Sequence, residues 1–281
     1  MPSGKASKQR RRAAPANPPG KTRVPRPTHP PGAAAPRQAS PRVLAVGAAV
    51  AGLIVVAVVV ALVLSGGNGS SGLPKNAVAV GSLRNALPGA SDVAAEFKGI
   101  PQHGTTLGSR TAPVTMVEFI DLQCPICRDF ETQVFPNVVS KYVRTGKVKV
   151  VVEPWAFIGP DSIRGQRAML AAADQNRAFD FAQLLYGNQG TENTGWLNDG
   201  MVYKAAASIP GLRVKQLFTQ RSSTAVKNAA GAVAASANAS GVTGTPALFV
   251  GKTGTTPKYV PLRGGTDEAT LVGALDRALT S

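Results

Sequence analysis

The 281-residue sequence is poor in cysteine, histidine and aromatic residues, with two cysteines, two histidines and 5% aromatic side chains. Two cysteines cannot form the disulfide framework that holds small secreted proteins together. They cannot supply the four ligands of a structural zinc site either, and His29 and His103 lie far from them in the sequence. The sequence also lacks a G-x-G-x-x-G segment after a strand and a Walker loop. We therefore expect no metal site and no cofactor.

Acidic side chains are absent from residues 1–42, which carry ten of the 31 lysines and arginines. Basic tails of this kind bind nucleic acid or anionic lipid in some proteins and set the orientation of a membrane helix in others. Because no aromatic residue lies among these charges, the tail has no platform for stacking bases, and we expect no nucleic-acid partner. Its proline- and alanine-rich composition predicts a disordered segment.

A run of 22 residues without charged, hydroxyl or amide side chains follows at 43–64. As a helix it would span roughly 33 Å, which is enough to cross the apolar part of a bilayer. A cleaved signal peptide is the alternative, but its apolar stretch is shorter and follows a short basic start. The sequence therefore predicts a single transmembrane helix in the lipid bilayer of the cell membrane. The basic tail is expected in the cytoplasm and the rest of the chain outside.

Beyond this run, residues 65–73 are rich in glycine and serine, which predicts a flexible linker. Residues 74–281 are expected to form one folded domain of the α/β class. The predicted order is strand, helix, strand, a helical block at about 162–240, two strands and a final helix. The strand at 113–120 is the clearest, because nearly continuous apolar side chains suit a strand that is buried on both faces.

Several helix boundaries are predicted from single residues. A long helix should begin at Pro125, be kinked by Pro136 and end at Gly146. Its buried face is expected to carry Phe130, Val134, Val138 and Tyr142. An earlier short helix is expected to be capped by Ser91, and the last helix of the domain by Thr266.

Both cysteines stand at the start of the long helix, in the sequence Cys124-Pro125-Ile126-Cys127. Pro125 suits the first helical position, because its missing N–H would have no partner there. Cys124 then becomes the N-cap, where free backbone N–H groups and the helix dipole stabilise its thiolate and lower its pKa. Cys127 lies one turn on, within bonding reach but covered. It is expected to keep a more ordinary pKa and to react second.

A bare C-x-x-C sequence also fits a static disulfide or two unreactive thiols. Here the first cysteine follows a strand directly and the proline opens a helix. The domain is also expected outside the membrane, where disulfides persist. These features favour a redox-active pair over a static one.

The sequence around the cysteines resembles the DsbA-like branch of the thioredoxin superfamily. The likeness is carried by Ala112–Thr115, Glu118-Phe119, Asp121–Cys127, Gly99–Gln102 and Gly241–Pro246. It covers roughly residues 74–281 and implies a thioredoxin-like fold with a helical insertion. It also implies a cis-proline loop beside the cysteines that binds substrate, and Thr245 and Pro246 match that loop.

The resemblance has one further implication and one departure. Glu118 lies six residues before Cys124, where thioredoxins often carry a buried acid, and it would then relay a proton to or from Cys127. The alternative is a carboxylate that points to the sheet edge and solvent. Pro125 and Ile126 depart from strongly oxidising members, which often place a histidine between the cysteines to stabilise the thiolate. A less stabilised thiolate makes a less oxidising pair.

These patterns predict a membrane-anchored thiol–disulfide oxidoreductase of the bacterial cell envelope. Its substrates would be cysteine-containing envelope or secreted proteins, into which it introduces disulfides, and a membrane partner would reoxidise it. The first alternative is the reverse direction, as a disulfide reductase or isomerase. The second is a non-catalytic binding or chaperone module with a static disulfide.

Overall fold

The computed structural model describes residues 72–281. The predicted basic tail at 1–42 and the predicted transmembrane helix at 43–64 lie outside the described residues. The predicted linker at 65–73 does so too, except for its last two residues. None of the helices within residues 72–281 combines the length and the apolar character that a membrane crossing requires.

The described residues are built around one six-stranded sheet. Its strands are β1 (Gln102–His103), β2 (Thr106–Leu107), β3 (Val114–Ile120), β4 (Val148–Pro154), β5 (Ala247–Lys252) and β6 (Lys258–Val260). They lie in the order β1-β2-β4-β3-β5-β6, with β3 and β4 parallel and the other neighbours antiparallel. The strand predicted to be buried on both faces is thus β3, which lies between β4 and β5 at the centre of the sheet.

Helices fill the connections between these strands. They are α1 (Ala90–Phe97), α2 (Pro125–Gln133), α3 (Phe135–Val138), α4 (Pro160–Ala173), α5 (Ala178–Gly187), α6 (Asp199–Ser208), α7 (Val214–Gln220), α8 (Thr224–Ala239) and α9 (Glu268–Thr280). A π-helical turn, Val139–Val143, continues α3. Helices α4 to α8 lie between β4 and β5 in the chain, so the α/β class and the helical insertion predicted from the sequence are both confirmed.

The long helix predicted from Pro125 is broken where its second proline was expected to kink it. Helix α2 ends at Gln133, and α3 begins two residues later with Pro136 in its first turn. Proline has no N–H for the ladder of hydrogen bonds and clashes with the preceding turn, which explains the break. The predicted buried face is confirmed, because Phe130, Val134, Val138 and Tyr142 are all buried.

Two predicted caps are wrong. Ser91 is the second residue of α1, which is preceded by Gly89 at a φ of 79° and has no side-chain cap. Helix α9 is capped by Asp267, whose carboxylate accepts a hydrogen bond from the N–H of Thr270 at 3.3 Å, and Thr266 precedes that cap. In both places a neighbouring residue, Gly89 or Asp267, is also a suitable N-cap, and the helix begins after that residue.

An aromatic layer joins the start of the helical region to the insertion. The rings of Phe130 in α2 and Phe135 in α3 lie 6.2 Å apart, and Phe135 stacks on Phe179 of α5 at 6.2 Å. On the sheet itself, α9 packs against β3, β5 and β6, whereas α4 and α8 contact β4. The junction between β3 and α2, where the cysteines lie, is therefore supported by both the sheet and the insertion.

Candidate active site

The two cysteines lie where β3 gives way to α2. Cys124 is the N-cap of α2 with an extended backbone, and Pro125 is the first helical residue. The backbone N–H of Cys127 donates a hydrogen bond to the sulfur of Cys124 at 3.3 Å. This arrangement is the cap geometry that the sequence predicts, and it directs unpaired helix N–H groups at the first sulfur.

The two sulfurs differ strongly in their affinity for a proton. A hydrogen bond from the Cys127 side chain, opposed in part by burial, lowers the pKa of Cys124 to about 6, with help from the N–H groups of Cys127 and Ile126. Burial raises the pKa of Cys127 well above its usual range, because that side chain is 0% exposed. The expectation of an ordinary pKa for Cys127 is therefore wrong. At neutral pH the pair holds one thiolate and one thiol.

The loop that leads into β5 lies against Cys124. Its Thr245-Pro246 peptide bond is cis, as the resemblance implies. The sulfur of Cys124 lies 3.3 Å from the carbonyl oxygen of Thr245, to which its protonated form donates a hydrogen bond. A cavity of about 510 Å³ adjoins this loop and is lined by residues 240–247 together with Phe249 and Tyr259. The loop thus connects the reactive sulfur with a concave surface.

Large apolar side chains are exposed next to the cysteines. Ile126 is 47% exposed and Phe157 is 50% exposed, whereas most side chains of this size in residues 72–281 are buried. Phe157 is fixed near the motif because its backbone N–H donates a hydrogen bond to Asp121 at 2.8 Å. Exposed apolar groups beside a reactive atom are typical of a surface that contacts a partner.

A buried carboxylate anchors the residues that precede Cys124. One oxygen of Asp121 accepts hydrogen bonds from the N–H of Gln123 and the hydroxyl of Ser162, each at 2.8 Å. The other oxygen accepts from the N–H groups of Phe157 and Ile158, each at 2.8 Å. Asp121 therefore ties the end of β3 to the start of the helical insertion, and its four donors offset the cost of burying a charge.

Two glutamines complete this support. The amide nitrogen of Gln123 donates to the hydroxyl of Ser162 at 2.9 Å, and its oxygen accepts from the N–H of Asn193 at 2.9 Å. Gln189 donates to the carbonyl oxygens of Leu122 and Cys124 at 3.0 and 3.2 Å. Sequence reasoning assigned no supporting role to Asp121, Gln123 or Gln189, because most of their partners lie 36 to 70 positions away in the chain.

Two carboxyl groups are buried in the same part of the domain. Glu118 is 1% exposed in β3, so the alternative of a solvent-facing carboxylate is wrong. Glu131 of α2 is also buried and accepts a hydrogen bond from the amide of Gln183 at 2.6 Å. Within the described residues, one oxygen of each carboxyl has no hydrogen-bond partner. Burial raises the pKa of Glu118 to about 8, and burial together with the charge of Glu118 raises that of Glu131 well above its usual range.

Tyr186 connects these carboxyls with the cysteines electrostatically. Burial raises the pKa of its hydroxyl, and charges on Cys127 and Glu131 raise it further. The hydroxyl donates a hydrogen bond to the backbone oxygen of Asp121 at 3.0 Å. Sequence reasoning missed both Glu131 and Tyr186. For Glu131 a signal existed, because it follows Cys127 by four residues and so shares its buried face of α2.

Comparison with known proteins identifies similar chains. A family model described as thioredoxin matches residues 102–259. The chain is 30% identical over 125 residues to a Bacillus cereus protein named "Probable disulfide bond formation protein D". That match covers 43% of this chain and spans 58% of the length of the Bacillus cereus protein.

Solved structures share the fold. Oxidised BdbD from Bacillus subtilis superposes with a TM-score of 0.57 at 21% identity, over 65% of this chain and 98% of BdbD. A thioredoxin-like oxidoreductase from Silicibacter pomeroyi superposes with a TM-score of 0.52 at 28% identity, over 67% of this chain and 98% of its own. At its low identity the first of these likenesses concerns the fold alone.

Proposed function

The chain belongs to the thioredoxin family, as its sequence resemblance predicts, and from this premise we propose that it is a thiol–disulfide oxidoreductase that acts through Cys124 and Cys127. Its direction would be the introduction of disulfides into cysteine-containing proteins of the bacterial cell envelope. The observation that carries the proposal is the unequal pair of sulfurs, with Cys124 lowered to a pKa of about 6 and Cys127 raised. A static disulfide needs no such difference, whereas exchange chemistry depends on it.

The reaction would begin with the Cys124–Cys127 disulfide. A substrate thiolate attacks the sulfur of Cys124, the bond to Cys127 breaks, and Cys127 leaves as a thiolate that takes up a proton. A second substrate thiolate then attacks the substrate sulfur of this mixed disulfide and releases Cys124 as a stabilised thiolate. The substrate gains a disulfide and the enzyme keeps the two electrons. A membrane partner that accepts those electrons would restore the starting state.

The proton for Cys127 would come from the buried carboxyls. We propose that Glu118 and Glu131 hold protons at neutral pH, since the pKa of each is raised by burial. Tyr186, whose pKa responds to charges on both Cys127 and Glu131, lies within electrostatic range of both groups. Protonated carboxyls at this place would neutralise the leaving thiolate without bringing water into the core.

Substrate would bind at the loop of Thr245 and Pro246. The carbonyl oxygen of Thr245 is 3.3 Å from the sulfur of Cys124, so an extended peptide beside the loop would bring its own cysteine to the reactive atom. Ile126 and Phe157 supply exposed apolar contacts that do not depend on one sequence. This surface suits unfolded chains that differ in sequence but carry cysteine.

A disulfide-transfer experiment tests the proposal. The oxidised full-length protein is mixed with an unfolded, reduced protein, and thiols are counted by alkylation and mass measurement. We expect two thiols to disappear from the substrate for each Cys124–Cys127 disulfide that is reduced. Retention of the disulfide in the presence of excess reduced substrate would instead favour a binding module with a static disulfide.

One observation keeps the reverse direction as a second candidate. The Cys124 pKa of about 6 lies between values of roughly 3.5 for the strong oxidant DsbA and roughly 7 for the reductant thioredoxin. Pro125 and Ile126 provide no charge that would lower it further. Alkylation of cells quenched in acid would report the resting state. A mostly oxidised pair supports the oxidase, and a mostly reduced pair supports a reductase or isomerase.

We further propose that residues 43–64 anchor the protein in the cell membrane, with the disordered tail at 1–42 in the cytoplasm and the domain at 74–281 outside. The ten positive charges of the tail and the uncharged run after it support this orientation. Protease added to cells stripped of their wall is expected to digest the domain and spare the tail. A domain that resists protease until the membrane is dissolved would contradict this orientation.

A further inference from the structure

A second polar cavity lies within the helical insertion. It has a volume of about 280 Å³, and its polar lining comes from Arg164 and Arg167 of α4, Asp199 of α6, and Arg221 and Ser222 after α7. At this size it is smaller than most sites for drug-sized ligands or cofactors, which occupy roughly 300–1,000 Å³. It still exceeds the roughly 30 Å³ that one water molecule takes up in the liquid. The cavity therefore suits a small polar ligand.

Two of the three arginines in this cavity are held in place by carboxylates. Arg221 makes a two-point contact with Asp199 at 2.7 and 2.8 Å. Arg164 contacts Asp161 at 2.6 Å and Asp199 at 3.3 Å, and it also donates to the carbonyl oxygen of Leu197 at 3.0 Å. These contacts fix the two guanidinium groups before any ligand arrives.

The third arginine has no partner in the described part of the chain. The Nε–H of Arg167 is buried without a hydrogen-bond acceptor, although most buried donors in folded proteins are paired. Its guanidinium forms no ion pair within residues 72–281 either. Residues 1–71 cannot supply a side-chain carboxylate, because they contain no Asp or Glu. Arg167 is half-buried and lines the cavity, so its guanidinium contributes a positive charge there that no carboxylate of residues 72–281 pairs.

We infer that this cavity is a binding site for a phosphate-type oxyanion. Arg164 and Arg221 pair with two carboxylates, Asp161 and Asp199, so the positive charge of Arg167 remains in the lining after the internal pairs are made. Guanidinium groups match the geometry of phosphate and donate two parallel hydrogen bonds to it. A tetrahedral oxyanion has enough acceptor oxygens to serve Arg167, the outer N–H groups of Arg164 and the exposed hydroxyl of Ser222 together. A planar carboxylate would serve one guanidinium edge only.

Inorganic phosphate is the first probe, titrated into the full-length protein at constant ionic strength with chloride as the comparison anion. We expect saturable binding by calorimetry and a thermal midpoint that rises with phosphate and not with chloride. Arg167→Gln should weaken phosphate binding at least tenfold. Arg110→Gln, which removes the same charge from an exposed position outside the cavity, should leave it unchanged. Equal effects of phosphate and chloride, or equal losses in both variants, would overturn the site.

A second variant keeps the test decisive if Arg167→Gln unfolds. Ser222→Ala removes an exposed hydroxyl donor from the rim and should weaken phosphate binding several-fold without affecting the fold. Unchanged affinity in that variant, together with unchanged affinity in Arg167→Lys, would also reject the site, because both changes alter the donors available to the anion.

An experiment in lipid bilayers distinguishes a lipid headgroup from soluble phosphate as the ligand. The full-length protein is reconstituted in phosphatidylcholine with or without phosphatidylglycerol, in phosphate-free buffer, and the reaction of Arg167 with phenylglyoxal is followed by mass spectrometry. Protection by phosphatidylglycerol alone identifies a lipid headgroup, and protection only after inorganic phosphate is added identifies a soluble ligand. Absence of protection under both conditions contradicts the site. The readout contains no thiol chemistry, so it stands or falls independently of the proposed oxidoreductase activity.

Discussion

Replacing Cys124 with serine is expected to abolish disulfide transfer, with a loss of at least roughly a thousandfold, because a serine oxygen cannot form the mixed disulfide. The thiolate that attacks or is attacked must be the accessible, stabilised one. Cys124 is the better placed of the two sulfurs, since its pKa is lowered to about 6 and the residue is 5% exposed, whereas Cys127 is 0% exposed. The measurement is the transfer of a disulfide to reduced substrate, followed by alkylation.

Replacing Cys127 with alanine should have a different effect. Without the second sulfur, a mixed disulfide through Cys124 loses its internal route of escape, so covalent complexes with substrate are expected to accumulate. Non-reducing gels should show adducts that disappear on reduction. Gln133→Ala, an exposed change on the same helix, serves as the control and should behave as the parent protein. If Cys124→Ala traps adducts and Cys127→Ala does not, the two roles are reversed.

The roles of the cysteines could be predicted from the sequence because the physics behind them is local. A strand followed by cysteine and proline already determines an N-cap, and the N-cap determines which sulfur meets the free N–H groups. The structure reproduces this cap with Cys127 donating to Cys124 at 3.3 Å. Cys127 is covered, as predicted, and only its pKa was misjudged, because complete burial raises that pKa well above its usual range. The size of this effect on the pKa depends on the side chains packed over Cys127 and not on its position in the helix.

The supports of the site could not be predicted in the same way. Asp121 accepts hydrogen bonds from Phe157, Ile158 and Ser162. These residues follow β4 in the chain and reach Asp121 only in the folded domain. Nothing in the sequence near Asp121 indicates those partners, and an aspartate after a strand also suits an exposed turn. The predicted caps of Ser91 and Thr266 failed for a related reason. Several residues at those places could cap a helix, and the path of the preceding chain decided among them.

Glu118→Gln is expected to change how the stability of the protein depends on pH. Burial raises the pKa of Glu118 to about 8 in the folded state, against about 4.5 in the unfolded chain. Between these values the folded protein binds a proton that the unfolded chain has released, so the stabilisation present below pH 4.5 is lost as the pH rises towards 8. Because a tenfold change in proton affinity corresponds to about 1.4 kcal/mol, the loss over the whole window has an upper limit of the order of 3–5 kcal/mol.

Glutamine does not titrate, so the stability of Glu118→Gln should not fall with pH for this reason. Relative to the parent, Glu118→Gln should gain up to that amount of unfolding free energy between pH 4.5 and pH 8, as measured by urea unfolding of the reduced protein. Glu192→Gln, which replaces an exposed carboxylate, is the control and should follow the parent profile. Parallel profiles for Glu118→Gln and the parent would mean that Glu118 is ionised in the folded protein, and its assignment as a proton donor would then be wrong.

The same variant separates a proton-transfer role from a purely structural one. If Glu118 supplies the proton for the leaving Cys127, Glu118→Gln should slow disulfide transfer most around neutral pH, where the carboxyl of the parent still holds its proton, and the difference should shrink above pH 8. The alkylation rate of the Cys124 thiolate should change little, because the groups that lower its pKa are Cys127, Thr245 and the N–H groups at the start of α2, and Glu118 is not among them. A structural role would instead slow both reactions together by loosening the junction of β3 and α2. Glu131→Gln should resemble Glu118→Gln in both respects. The charge of Glu118 raises the pKa of Glu131, so the two carboxyls titrate as a coupled pair.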